Sequence, residues 1–221
     1  GEAEMPVEPR RVAGLLTGPR DPHSHFARAE ATSEQIDFFD AKGVLDTLFA
    51  QLHVSDVRYE PVVAPWYHPG RVAAVVWGAA LLGVVGELHP QVAAAWELDG
   101  RRIYSFDLDL DALLAAMPPR ARYSAISRYP AVTQDLALVV PDTVPAARVA
   151  ALLRETGGKL LTDLTLFDLY TGPPVPAGHR SLAYALTFQA LDRTLSDDEV
   201  TKLRTKLLGR VQRELGATLR T

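Results

Sequence analysis

The sequence predicts an α+β protein of two domains, and three observations carry that reading. The first half sets a hydrophobic hairpin among short strands and helices, the pattern of a mainly antiparallel sheet. The second half runs strand, helix, strand, strand, helix, with room for one last short strand. That order, βαββαβ, is the split-βαβ or ferredoxin-like unit. Between the halves, Met117–Ala121 (MPPRA) holds two prolines and no periodicity, as a linker does. The expected domains are therefore 1–119 and 120–221.

The elements of the first half follow in order. Val12–Thr17 reads as a buried strand ended by Gly18-Pro19, and Asp21–Ala29 as a polar loop. Phe38, Phe39, Leu45, Leu48, Phe49 and Leu52 recur at helical spacing, so Asp37–Leu52 is an amphipathic helix. Val57–Pro61 is a short strand. Tyr67–Arg71 (YHPGR) is a turn leading into the strand Val72–Trp77, and Gly78-Ala79 reverses the chain into Ala80–Glu87. This hairpin is hydrophobic on both faces, which puts it inside a sheet. Pro90–Glu97 is a short helix, Ile103–Leu108 a strand, and Leu110–Ala116 another short helix.

In the second half, Asp135–Val140 is a strand and Pro145–Glu155 a helix. Leu164–Tyr170 and Ser181–Gln189 are strands around the Pro/Gly-rich loop Thr171–Gly178. Ser196 followed by Glu199 forms a capping box, and Val200, Leu203, Leu207, Val211 and Leu215 make an apolar stripe up to the capping Gly216. Alternation faces Leu182, Tyr184, Leu186 and Phe188 toward the helices and leaves Ala183, Ala185, Thr187 and Gln189 on the open face. In the strand before, Phe167 and Leu169 are expected inward, and Leu166, Asp168 and Tyr170 outward. The open face is then small and polar, with Tyr170 its one obvious stacker. It lacks the aromatic cluster with which RNA-recognition motifs hold single strands.

Composition bounds the function. Hydrophobic residues make up 48% and charged residues 23% of the 221, enough for packed cores and against global disorder. No run of about 18 apolar residues is present, so no membrane span is expected. The absence of cysteine excludes disulfides, thiolate metal sites and Cys nucleophiles, and fits a cytoplasmic protein. The Gly start and the acidic stretch GEAEMPVEP predict a natural chain that continues upstream. Residues 1–119 hold 9 Lys and Arg against 17 Asp and Glu, a balance of −8, while 120–221 hold 14 against 10, a balance of +4. The split permits a polyanion partner for the second half.

Four stretches of the second half have a familiar wording: SRYPAVTQDLALVV (127–140), LFDLYTG (166–172), GHRSLAYALTFQ (178–189) and RTLSDDEV (193–200). They resemble the ferredoxin-fold anticodon-binding domain that closes the beta subunit of bacterial phenylalanyl-tRNA synthetase. DFFDAKGVLDTLF (37–49), YHPGRVAAVVWGAALLGVVGELHP (67–90) and residues 106–114 resemble the preceding domain of that subunit, a class II synthetase-like but non-catalytic domain. The resemblance implies an α2β2 assembly with an alpha subunit, which activates phenylalanine with ATP and magnesium, and phenylalanine tRNA as a partner. It implies no cofactor bound by this piece, whose editing and N-terminal tRNA-binding domains lie upstream.

Each candidate site has a structural reading beside it. A class II site needs arginines on the ATP phosphates, and no Gly-rich segment ending in such an arginine is present. Arg71 and Glu87 flank the hairpin without a partner set. His68, Glu87 and His89 read as residues fixing the hairpin ends rather than metal ligands, since neither motif has a ligand spacing. His23 and His25 are weaker still. Asp37 and Asp40 suit the positive end of a helix rather than a carboxylate pair, with contact to the alpha subunit a further possibility. The functional expectation is a basic surface. Arg120, Arg122 and Arg128 precede the first strand of the second domain, Arg180 and Arg193 bracket the third, and Lys202, Lys206 and Arg210 run along the last helix. With Tyr170, the residues expected on tRNA are Arg128, Arg180, Arg193, Lys202, Lys206 and Arg210. Arg128 also reads as an ion-pair partner of Asp135 or Asp168. The expected function is subunit scaffold and anticodon-arm binding, not chemistry. The rivals are a free-standing RNA- or protein-binding paralogue and a small-molecule-sensing ferredoxin-like domain.

Overall fold

The structure, a computed structural model, describes residues 8–20, 35–98, 100–120 and 126–220. The expected loop Asp21–Ala29 with His23 and His25, and also Arg122, lie outside the described residues. The chain folds as two compact units, Gly1–Arg122 and Tyr123–Thr221.

The first unit is built on a five-stranded antiparallel sheet. Its strands are β1 (Arg11–Thr17), β2 (Val57–Pro61), β3 (Tyr67–Trp77), β4 (Ala80–Leu88) and β5 (Ile103–Asp109), in the order β1-β5-β4-β3-β2. The hydrophobic hairpin β3–β4 is thus internal, as expected. Helices α1 (Phe38–Gln51), α2 (Pro90–Ala95) and α3 (Leu110–Ala116) complete the unit. Ala41, Leu45 and Phe49 of α1 and Leu113 of α3 share a core with Val75, Val85, Phe106 and Leu108 of the sheet. Gly83 is required where β4 meets β5, because a Cβ there would lie 2.1 Å from the Asp107 carbonyl oxygen.

One expectation fails here. Tyr67–Arg71 is not a turn before the strand but part of β3 itself, with a register shift between Tyr67 and Val72. Gly70 sits at φ +79°, so the chain jogs there and resumes its pairing with β4, Tyr67 opposite Leu88.

The second unit has strands β6 (Val132–Pro141), β7 (Leu161–Tyr170), β8 (His179–Phe188) and β9 (Thr218–Leu219), in the order β7-β8-β6-β9, with helices α4 (Ala146–Gly157) and α5 (Asp197–Leu215). This is the βαββαβ arrangement the sequence predicts. The inward set of β8, Leu182, Tyr184, Leu186 and Phe188, packs with Leu136, Leu138 and Val140 of β6 against both helices. Val149, Leu152 and Leu153 come from α4, and Val200, Leu207 and Val211 from α5. Tyr184 stays hydrogen-bonded in that core by donating to the Ala146 carbonyl at 3.0 Å, and burial pushes its pKa up to about 12. Ser196 accepts from the Glu199 amide while Glu199 accepts from the Ser196 amide, so the capping box that starts α5 is formed.

Strand β7 departs from the expected facing. Leu166 pairs with Tyr184 and Asp168 with Ala183, which leaves Phe167 as an extra residue in a bulge. Opposed residues of an antiparallel pair share a face. Leu166 therefore joins the helix side and Phe167 loses its inward position, while Leu169, opposite Leu182, keeps the helix side. Neither Phe167 nor Leu169 is buried: they are 55% and 52% exposed. The bulge shifts the two-residue period, and β7 is the edge strand, where burial on the helix side falls to Leu164.

Candidate nucleic-acid interface

The open face of the second sheet can be read off its pairing. β7 presents Asp163, Thr165, Asp168 and Tyr170, β8 presents Thr187, Ala185, Ala183 and Ser181, and β6 presents Thr133, Asp135, Ala137 and Val139. Tyr170 is the one aromatic among them. Asp135, Asp163 and Asp168 are all exposed, so this face is acidic at its centre and repels phosphate.

At one end the face changes character. Tyr170, Ser181, Val139 and Thr218 form one row across all four strands. Tyr170 is held by its own loop, donating from Oη to the Pro173 carbonyl at 2.7 Å. Arg220, two residues beyond Thr218, is anchored by its backbone N–H to the Ala137 carbonyl at 2.9 Å. Its guanidinium carbon lies 4.7 Å from the centroid of the Tyr170 ring, within cation–π range. The small floor residues Ala137 and Ala183 leave room for that reach. Ser181 in the same row is 1% exposed, and its hydroxyl has no hydrogen-bond partner among the described residues. A buried hydroxyl without a partner costs stability and calls for an explanation, such as a ligand or an ordered water.

The basic residues expected on tRNA do not converge. Arg180 is turned to the loop before α4, where Nη2 donates to the Val144 carbonyl at 2.7 Å while Nε is buried without a partner among the described residues. Arg193 pairs with Glu199 at 2.6 Å and with Asp192 at 3.3 Å. Hydrogen bonding to Glu199 raises the Arg193 pKa. Arg210 pairs with Glu155 at 2.6 Å and with Glu214 at 2.8 Å, on the helix layer. Lys202 and Lys206 are exposed on α5, also on that layer, and Arg128 and Arg120 are exposed in loops. None of these last four pairs with a carboxylate among the described residues, so the pairing of Arg128 with Asp135 or Asp168 is not formed. Arg128 sits in a strap at the end of the sheet away from Tyr170: Ser127 Oγ donates to the Ala190 carbonyl at 2.8 Å, and Gln189 Nε2 to the Tyr129 carbonyl at 2.7 Å.

In the first unit the candidate groups are bound to one another. Glu87, 6% exposed, accepts from Arg71 Nη1 at 2.8 and 3.0 Å and from Tyr104 Oη at 3.1 Å. His89 caps α2, its Nδ1 accepting from the Gln91 amide at 3.2 Å. Asp37 caps α1, with Asp40 closing the capping box, and Arg20 holds Asp40 at 2.9 and 3.0 Å. That contact and the Asp37 amide hold the Asp40 carboxyl below the usual carboxylate range. Among the described residues no group of three His, Asp or Glu side chains is arranged to hold a metal. No helix among the described residues is long and apolar enough to cross a membrane, which says nothing of strands.

The sequence reading missed Ser181 and Arg220 as site residues. Alternation along β8 put Ser181 on the Tyr170 side, but its burial without a partner is a tertiary fact. Arg220 follows a strand of two residues, too short for any periodic signal.

Both halves match known protein families. Residues 127–220 match the family described as ferredoxin-fold anticodon binding domain. Residues 1–110 match the phenylalanyl tRNA synthetase beta chain CLM domain. The phenylalanine–tRNA ligase beta subunit of Moorella thermoacetica is 45% identical over 221 residues, 99% of this chain and 26% of that protein. The proteins of the same name from Symbiobacterium thermophilum and Lactiplantibacillus plantarum are 42% and 41% identical, again over 99% of this chain and over 24% and 27% of their own lengths. The chain thus spans about a quarter of the length of the curated relatives it matches. Both domains match within one kind of protein, which favours a subunit of that kind over a free-standing paralogue.

Proposed function

Because the chain belongs to the phenylalanine–tRNA ligase beta-subunit family, we propose that it works within a cytoplasmic ligase that joins phenylalanine to its tRNA. In that reading the intact enzyme is an α2β2 assembly with an alpha subunit, and ATP and magnesium act on that assembly rather than on residues of this chain. Residues 1–119 serve as subunit scaffold and residues 120–221 bind the anticodon arm. Alone, the chain forms no aminoacyl-adenylate.

The observation that carries the RNA assignment is Tyr170, the one aromatic on a small, polar sheet face, paired opposite Ser181, whose buried hydroxyl has no partner among the described residues. An unpaired base stacks on the ring of Tyr170 and satisfies the hydroxyl at its edge. The neighbouring carboxylate of Asp168 accepts hydrogen bonds only, so it suits the N–H groups of a base and not a phosphate. Phosphates elsewhere on the arm are left to Arg128 in its strap and to Lys202 and Lys206 on the helix layer, none of which pairs with a carboxylate among the described residues. Arg180, Arg193 and Arg210 contribute field but are already bonded within the fold.

Titration of the full chain with the anticodon stem-loop of phenylalanine tRNA, at several salt concentrations, tests the reading. Binding that weakens with salt and is lost in Tyr170→Ala is expected. Binding indifferent to both would overturn it.

A further inference from the structure

The acidic open face raises a difficulty that the fold itself answers. A base stacked on Tyr170 brings a phosphate with it, and Asp135, Asp163 and Asp168 all disfavour that phosphate. Arg220 is the cation at this face, and no carboxylate among the described residues pairs with it. Its guanidinium rests on the ring that the base needs. The same residue borders a cleft of about 400 Å³, with Pro174, Val175 and Pro176 on its loop side and His179 and Thr218 alongside. An apolar wall facing polar donors matches a sugar and its phosphate.

We propose that Arg220 is a parked phosphate ligand: it leaves the Tyr170 ring when an unpaired nucleotide stacks there, and pairs with that nucleotide's phosphate at the mouth of the adjoining cleft. The inference rests on the anticodon-arm reading and adds to it a residue, a subsite and an exchange of partners. The energetics favour the exchange. A cation–π contact at an exposed site is weaker than base–aromatic stacking. Displacement therefore leaves a net gain before the phosphate is counted. The exchange needs only side-chain rotation, because the Arg220 backbone stays bonded to Ala137. A guanidinium suits the new partner, since its planar fork meets two phosphate oxygens at once.

The test is a salt titration of the full chain with the anticodon stem-loop, comparing Arg220→Gln and Arg220→Lys with wild type. One fewer phosphate contact should make the slope of log K against log salt shallower by about 0.7 for Arg220→Gln. Its affinity should fall several-fold at low salt and converge with wild type as salt rises, while Arg220→Lys keeps the wild-type slope. Tighter binding by Arg220→Gln at every salt would mean that the guanidinium only blocks the ring, and the proposal would be overturned. An unchanged slope in Arg220→Gln, with Tyr170→Ala still weakening binding, overturns the exchange and leaves the anticodon reading standing. A wild-type protein that shows no salt-dependent binding overturns both.

Discussion

The two sheets treat their helix-free faces in opposite ways. On the first, polar groups find partners within the sheet: Arg11 Nε donates to Asp107 at 2.9 Å, and Ser105 Oγ donates to Tyr67 Oη at 3.2 Å. At the end of that sheet even the buried Glu87 is fully bonded. On the second, the Ser181 hydroxyl is buried with no partner among the described residues, and Arg220 leans on a ring rather than on a described carboxylate. The difference separates scaffold from site. A polar group satisfied by its own fold holds the fold, whereas one left short costs stability and calls for a partner from outside it.

The comparison breaks most visibly in the first unit. Glu87→Ala removes the acceptor of both Arg71 and Tyr104. Arg71 is 45% exposed and regains water, so the cost should be about 2–3 kcal/mol, below that of a fully buried pair. All three tryptophans, Trp66, Trp77 and Trp96, lie in this unit, so tryptophan fluorescence in urea follows it alone. A shift of the midpoint without a change of slope is expected. A variant as stable as wild type would show that Glu87 is not the structural group described here. RNA binding by the second unit should stay the same.

In the second unit the same kind of truncation should act on binding and spare the fold. Tyr170→Ala should weaken stem-loop binding by about 1–3 kcal/mol, the usual worth of a stacked base. The far-UV circular dichroism melt should stay near wild type, because Tyr170 is on the open face rather than in the core. Ser181→Ala sharpens the contrast. Without its unsatisfied hydroxyl the protein should be as stable or more stable by up to about 1 kcal/mol, yet bind RNA less well. Loss of stability on this change would mean that the hydroxyl has a structural partner, an ordered water among them, and would remove it from the site.

Much of this was legible in the sequence wherever a local signal decided the outcome. The capping box at Ser196 and Glu199, the apolar stripe of α5 and the alternation in β8 are each fixed within a few residues. The β-bulges at Gly70 and Phe167 were not, because pairing with a neighbouring strand creates them: Gly70 gave a turn signal that the sheet absorbed, and Phe167 lost its face to one extra residue. The basic set shows the same limit at the level of the site. Composition marked Arg193 and Arg210 as available charges, and folding brought Glu199, Glu155 and Glu214 to them. Arg220 was overlooked for the converse reason, since its partner is an aromatic ring three strands away.

The smallest effect concerns whether Arg193 belongs to the cap or to the interface. Glu199 is held below the usual carboxylate range first by the Ser196 amide and then by Arg193. Its folded pKa is therefore lower than its unfolded one. The stabilisation is fully present above the unfolded carboxylate value and is lost as pH falls through the folded value. Glu199→Gln keeps an acceptor for the Ser196 amide but drops the charge that holds Arg193. The variant should melt slightly below wild type at neutral pH, and the gap should close in acid as the wild-type carboxylate protonates. A gap that stays constant with pH would make the cap a matter of geometry alone. If Arg193 is instead a tRNA ligand restrained by Glu199, freeing it should strengthen stem-loop binding at low salt. Unchanged binding together with a pH-dependent gap would assign Arg193 to the fold, alongside the satisfied groups of the first unit.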